Sequence, residues 1–251
     1  MNPSSLTTPA APDLWHLYGS SASAKEHCAS SRLYWDWYQR TGPGDELLGD
    51  VAGCTVSELG AGAGHRAAYV ARVMNPARVI AIDSSPTQHA RGRDLYSHVH
   101  GLEFVQEDAA AYLPAISGSL DVAYSVFGAL DFCDPQLLLP AVAAALRPGG
   151  LLVFSTLGHF KNGVPAETER RPASIPTRLP DGSPGTMQRW VLDTPVWDKL
   201  LDHYGFDLVE QDTVRDAGPE GATPMATCHF RARLWASRVL FRSATITGQD
   251  L

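Results

Sequence analysis

The chain is short of cysteine, of net positive charge and of long apolar runs, and each shortage closes off a class of protein. Its four cysteines, Cys28, Cys54, Cys133 and Cys228, stand far apart with no C-x-x-C spacing. They read as reduced, mostly buried thiols, so neither a disulfide frame nor a metal site is expected. Lysine and arginine number 20 against 27 aspartates and glutamates, a net charge of −7. A surface that grips phosphates is normally basic, so tRNA, rRNA and DNA are set aside and no nucleic-acid partner is expected. No stretch is apolar enough for a membrane helix and no charged-then-apolar leader appears, so the expected location is cytoplasmic, with no membrane partner. No motif speaks to the oligomeric state. The 251 residues, 44% hydrophobic and 19% charged, suffice for one α/β core with an appended lid.

Glycine is where the sequence becomes specific. In Thr55-Val-Ser-Glu-Leu-Gly-Ala-Gly-Ala-Gly-His65 a short β-branched run ends in alternating Gly60, Gly62 and Gly64, and a helical segment follows. Because glycine carries no Cβ, a strand–turn–helix of this kind is expected to bring bare backbone N–H groups against a ligand. A dinucleotide fingerprint G-x-G-x-x-G starting at Gly60 would need glycine at the next position of the pattern, where this chain has His65.

Around that turn the chain alternates strand and helix signals. Residues 1–12 are polar and proline-rich and are expected to be disordered. Residues 13–50 carry Trp15, Tyr18, Tyr34, Trp35, Trp37 and Tyr38 and read as a helical cap, interrupted at Gly42-Pro43-Gly44. An aromatic stripe of this kind reads mainly as core. Strands are expected over 55–59, 77–83, 102–108, 120–127 and 151–156, with helices between them, the pattern of a parallel sheet covered on both faces. Ser85 followed by Pro86, and Asp134 followed by Pro135, are helix starts; Arg147-Pro-Gly-Gly150 is a stop. Residues 157–192 crowd prolines and charges without a period and are expected to form an irregular lid. A helix from Thr194 to Gly205 and strands near 206–210 and 226–234 complete a core spanning 51–237. Arg238-Val-Leu-Phe-Arg-Ser243 is also what a common sequencing adapter encodes in frame, so residues 238–251 are set apart as a tail with no assigned role.

The E-x-G-x-G-x-G pattern with Glu58 on its strand, Asp83 ending the second strand, Asp108 ending the third and Arg147-Pro-Gly-Gly150 before the fifth together resemble the class I S-adenosylmethionine-dependent methyltransferases. The resemblance covers roughly residues 55–156. It implies a Rossmann-like α/β fold with a parallel seven-stranded sheet whose last strand is antiparallel, and S-adenosylmethionine as cofactor. The implied activity is transfer of a methyl group to an O, N or C centre of a small-molecule substrate in specialised metabolism. It implies cofactor contacts from Glu58, Gly60, Ala61, Gly62, Gly64, Asp83 with Ser84, Asp108 with Ala109, and Phe127. Asp83 would accept from the ribose diol and Asp108 from the adenine amino group. An N-terminal helix of this family closes over the cofactor, which implies a place for Tyr18 near the reacting methyl.

For an acceptor that must lose a proton, the candidate bases are His159, whose ordinary pKa lies near neutrality, and Tyr18. Lys161, Asn162 and Trp190 in the lid would shape acceptor specificity. Two rival readings are an NAD- or nucleotide-dependent enzyme, which would use Asp83 in the same way, and a non-catalytic cofactor-binding module. Asp108 and His65 weigh against the first, and the long lid against the second.

Overall fold

The computed structural model describes residues 12–16 and 32–236. Tyr18 and the tail therefore lie outside the described residues. The core elements are β1 (Thr55–Leu59), α1 (His65–Val73), β2 (Arg78–Asp83), α2 (Pro86–Tyr96), β3 (Leu102–Gln106), the helical turn α3 (Ala109–Tyr112), β4 (Leu120–Val126), the helical turn α4 (Ala129–Phe132), α5 (Pro135–Ala145) and β5 (Leu146–Leu157). A hairpin of β6 (Ala173–Arg178) and β7 (Pro184–Arg189) follows, then α6 (Thr194–His203), β8 (Phe206–Asp216) and β9 (Met225–Leu234).

Seven strands form one sheet in the order β3-β2-β1-β4-β5-β9-β8. The first five run parallel, and β9 inserts between β5 and β8 antiparallel to both, so the chain's last strand is the reversed one. Period-two alternation sends successive side chains of each strand to opposite faces. Leu59, Ile80, Ile82, Ala123 and Phe154 pack under α5 and α6, while Val56, Val79, Ala81, Val122 and Val153 pack under α1 and α2. Burial on both faces explains why these strands read as near-continuous apolar runs. Helix starts fall where the capping residues sit: Ser85 Oγ accepts from Gln88 N, and Asp134 Oδ1 from Gln136 N at 2.9 Å. Arg147–Gly150 sits in β5 as a bulge between the Leu120–Leu146 and Val122–Leu151 pairs, held where Arg147 ion-pairs with Asp121.

Two expectations need correction. Residues 32–50, expected as part of the helical cap, run instead as extended chain and turns with one 3-10 turn at Asp45–Leu47. Buried Trp35 fixes this segment by donating from Nε1 to Gly44 O at 2.9 Å, and the Asp36 carboxylate accepts from the Arg40 and Thr41 amides. The aromatics are therefore anchors for loops, which do not require helical spacing. The lid is not irregular either. Ala173–Arg178 and Pro184–Arg189 pair antiparallel, with Ile175 opposite Met187 and Thr177 opposite Gly185. The signal was Pro180-Asp-Gly182 between two short alternating runs, a hairpin turn sequence, with Gly182 at φ +83°. The crowded prolines masked it.

Among the described residues no helix is long and apolar enough to cross a membrane, and no cluster of His, Cys, Asp and Glu is placed to hold a metal ion.

The aromatic stack on the α5/α6 face is where the core is most concentrated. Phe154 is fully buried, stacked on Phe230 with ring centres 4.7 Å apart and edge-on to Trp197 at 5.0 Å. Phe154→Ala should cost about 3–5 kcal/mol of stability, read as a lower urea midpoint with an unchanged slope; a shift below about 1 kcal/mol would show that the neighbouring rings close the gap.

Candidate functional site

The strand order reverses between β1 and β4, and the crevice at their carboxyl ends is where open α/β sheets bind ligands. The turn after β1 fills one side of it. Gly60 N and Ala61 N both donate to Ile82 O at 2.9 Å, Gly62 N donates to Asp83 Oδ2 at 2.7 Å, and Gly64 N donates to Ala61 O. The expected bare amides are thus committed within the protein at all three glycines. What glycine supplies here is closeness. Gly60 sits at φ +74° with the Gly128 Cα only 2.8 Å from where a Cβ would stand, and a Cβ on Gly128 would meet Leu59 O at 2.5 Å. Gly62, at φ +57°, faces open space, since a Cβ there would meet nothing nearer than Gln88 at 3.9 Å. Gly64 answers to packing, its missing Cβ leaving room for the Phe104 ring.

Asp83 ends β2 and clamps the turn: Oδ2 holds Gly62 N and Oδ1 holds Ser85 N at 2.9 Å. Burial raises its pKa above the ordinary carboxylate value, against the pull of those two amides. Asp108 caps α3 through Oδ1, which accepts from Ala110 and Ala111, while Oδ2 lies 3.6 Å from the Cys133 thiol. Phe127 ends β4 in the left-handed region at φ +49°, an uncommon place for an aromatic residue and one that turns its ring edge-on to Trp37. Gly60, Ala61, Gly62, Asp83, Ser84, Asp108, Ala109 and Phe127 all line one cavity of about 730 Å³.

That cavity is larger than the cofactor pattern predicts, because three further segments wall it. Leu14 and Trp15 cross its mouth on a short strap. Asp13 Oδ2 accepts from Ser85 Oγ at 3.0 Å, Leu14 O accepts from Thr177 Oγ1 at 3.2 Å, and Trp15 packs edge-on to Phe132. Trp37 and Gln39 come from the turn that Asp36 holds, and Lys161, Ile175, Thr177, Met187 and Arg189 come from the lid. Arg189 is buried and bonds Asp131 Oδ2 through Nε at 3.1 Å and Nη2 at 2.5 Å. Burial raises the Asp131 pKa and the Arg189 charge opposes that rise.

Several predicted residues stand elsewhere. Glu58 is buried in the sheet and does not line the cavity; Tyr124 Oη donates to its Oε2 at 3.2 Å. His159 is no free base. Its Nδ1 hydrogen-bonds Phe160 O at 2.8 Å and its Nε2 accepts from Ala226 N at 3.2 Å, so both ring nitrogens are committed to backbone and the ring lies outside the cavity lining. Trp190 is core, and Asn162 turns its Oδ1 onto Val164 N; of the three lid residues expected to shape acceptor specificity, Lys161 alone lines the cavity. Sequence reasoning missed Gln88, Cys133, Trp37 and Arg189. Arg189 had a signal, a cation placed on the hairpin by its alternation, once Asp131 is seen opposite it.

Whether the site suits an adenosyl cofactor rests on three features: the cradle beside Gly62 that a Cβ would fill, the buried Gln88 Oε1 with no partner beside it, and two carboxylates at adjacent strand ends. These fit a group that brings hydroxyl and amino donors.

Residues 56–150 match a family model described as a methyltransferase domain. The chain is similar to the trans-aconitate 2-methyltransferase of Paracidovorax citrulli, 34% identical over 119 residues that cover 46% of this chain and 45% of that protein. It is also similar to the fatty-acid O-methyltransferase of Mycolicibacterium smegmatis, 34% identical over 132 residues covering 52% and 46%. The chain thus spans about half the length of these curated relatives. Among solved structures the [4+2]-cyclase SpnF superposes with a TM-score of 0.62 at 19% identity, covering 90% of this chain and 94% of that one, which speaks to fold alone.

Glu58 carries a pH consequence of its own. Burial pushes its pKa up to about 7 from 4.5. Between those values the folded state keeps a proton that the unfolded state has lost, so stability is full below about pH 4.5 and falls as pH rises toward 7, by about 3 kcal/mol in all. Glu58→Gln should flatten that part of the pH–stability curve in urea titrations. A variant curve parallel to the wild type would place the proton elsewhere.

Proposed function

We propose that the chain is a class I S-adenosylmethionine-dependent methyltransferase, a reading supported by the match of residues 56–150 to a methyltransferase domain, and that it transfers the methyl group of S-adenosylmethionine to a small organic molecule. The observation that carries this reading is the shared cavity: the glycine turn, Asp83 and Asp108 face one hollow at the point where strand order reverses. Asp83 would accept from the ribose diol with the lone pairs its two amide bonds leave, and Asp108 Oδ2 with the Ala109 backbone would meet the adenine edge. Gln88 Oε1, unpartnered and buried, offers one more acceptor.

The cofactor, when bound, supplies a methyl group on a sulfonium sulfur whose departure needs no acid. The chain's task is then alignment and exclusion of water. The strap at Leu14–Trp15 and the lid hairpin perform the second part, since Thr177 and Leu14 join them across the mouth. Trp37 and Phe127, edge-on at 5.2 Å, set the wall between cofactor and acceptor. The relatives are named for unlike acceptors, trans-aconitate in one and fatty acids in another, so the acceptor is not inherited with the domain. Net charge −7 speaks against nucleic acid, and a cytoplasmic enzyme is the reading we adopt.

Calorimetry with S-adenosylhomocysteine and NAD tests the cofactor directly. S-adenosylhomocysteine should bind and NAD should not; tight binding of NAD alone would overturn the assignment. Asp83→Ala should weaken S-adenosylhomocysteine by about 1.5–3 kcal/mol, the scale of hydrogen bonds to a charged group, and an unchanged dissociation constant would show that the ribose is held elsewhere.

A further inference from the structure

The acceptor half of the cavity has a chemistry of its own. Two cations converge on one indole: Lys161 Nζ stands 4.2 Å from the centre of the Trp37 ring and Arg189 Cζ 5.4 Å from it. Arg189 answers to Asp131 through Nε and Nη2, which leaves Nη1 without a protein acceptor among the described residues. Lys161 makes no ion pair among the described residues. Burial and the Arg189 charge push its pKa below the ordinary lysine value, the mark of a cation held near another cation without an anion between them.

Among the described residues, the same half holds no base. The aspartates, glutamate and histidine of the lining, Asp83, Asp108, Glu107 and His65, belong to the cofactor side. His159 is committed to backbone at both nitrogens. The Cys133 thiol, its pKa pushed up to about 12 chiefly by burial, stays protonated. A phenol or an alcohol would need a group to take its proton, and an ammonium would meet two like charges. A carboxylate needs neither, being ionised at neutral pH, and the planar fork of arginine matches its geometry. Of the remaining wall, Phe132, Ile175 and Met187 are apolar, with Gln39 and Thr177 as polar members.

We propose that the methylated atom is a carboxylate oxygen of a small acid with an apolar body, the carboxylate held between Lys161 and Arg189 beside Trp37. The proposal rests on the methyltransferase reading above and names its substrate class. A lone pair of one carboxylate oxygen forms the new O–C bond as the S–C bond breaks. The bonding pair stays on sulfur, which leaves as a neutral thioether, and no proton moves. Lys161 is placed for this by a closed turn: Phe160 N donates to Val164 O and Gly163 N to Phe160 O, both at 2.8 Å, with His159 pinning the turn to β9.

The test uses the full chain with methyl-tritiated S-adenosylmethionine. The acceptors are benzoate, phenylacetate, octanoate and a dicarboxylate beside the matched amides, phenols and amines, and then a whole metabolite extract. Products are treated with mild alkali, which frees a methyl ester as volatile labelled methanol and leaves ethers, N-methyl and C-methyl groups intact. Volatile label is the expected result. Label that stays non-volatile would overturn the carboxylate inference and leave methyl transfer standing. No label in any product, with S-adenosylhomocysteine still bound, would remove both. Lys161→Gln should raise KM for the labelled acid by about tenfold or more, the scale of a lost charged hydrogen bond. S-adenosylhomocysteine affinity should not change, and Lys161→Arg should restore most of the loss. An unchanged KM in Lys161→Gln would overturn the role of Lys161 in holding the acid.

Discussion

The site depends on how closely two backbone turns approach. Gly60 after β1 and Gly128 after β4 lie so near that a Cβ on either would enter the other's main chain. These are the two strands between which the order of the sheet reverses, so their contact sets the floor of the crevice. From that floor the rest follows. With Gly60 pressed against Gly128, the next residues fold back over β2, where Ile82 O takes two amides and Asp83 takes a third. The glycines thus shape a tight turn that exposes a carboxylate, and its own amides face the protein.

That turn also makes Asp83 do two things at once. It fastens the loop, through Gly62 N and Ser85 N, and it presents the remaining lone pairs to the cavity. A loop fastened by the same group that meets the ligand is pre-organised, because no side chain must be ordered when the ligand arrives. The opposite wall has the opposite sign. Lys161 and Arg189 face the cavity from the lid, and Asp131, fully buried, compensates Arg189 from behind. In the proposed reaction, carboxylates toward one end and the Lys161–Arg189 pair toward the other would sort the two ligands by charge.

The sequence was most legible where local chemistry decides local structure. Ser85 and Asp134 cap the helices expected of them, and the alternation of buried strands and helices yields the sheet because each strand is covered on both faces. That Asp83, Asp108 and Phe127 line one crevice was readable because strand ends in such sheets converge. What misled was residue type without partner. Glu58 sits two positions before Gly60, the first residue of its turn to line the cavity, on the face of β1 that looks to Tyr124, so a carboxylate in the motif belongs to the core. His159 was the right residue type for a base, and Ala226 N with Phe160 O occupy its ring nitrogens in fact. Trp35 and Trp37 sit two residues apart, yet one pins a loop and the other faces the cavity, a distinction set by contacts distant in sequence.

The division between legible and illegible follows the chain itself. The proposed cofactor side, from Gly60 to Ala129, falls wholly inside the stretch 56–150 that matches the methyltransferase domain. The proposed acceptor side is built mostly outside it, from Trp15, Trp37 and the lid residues 161–189, with Phe132 and Cys133 as the inner wall. A scaffold can keep one while the other changes, because beyond its base, where Gly158 and His159 bond Ala226 of β9, the lid is tied to the core by the Arg189–Asp131 pair, Trp190 N on Asp131 O, and Arg170 on Asp134. These last three fall on α4 and the first residue before α5, one short stretch of chain. Replacing the hairpin while keeping Asp131 and Asp134 would keep its seat, so substrate choice can vary without disturbing the floor that Gly60 and Gly128 fix. This is the physical reason that relatives matched over the domain can be named for unlike acceptors, and why the acceptor of this chain has to be read from its own lid.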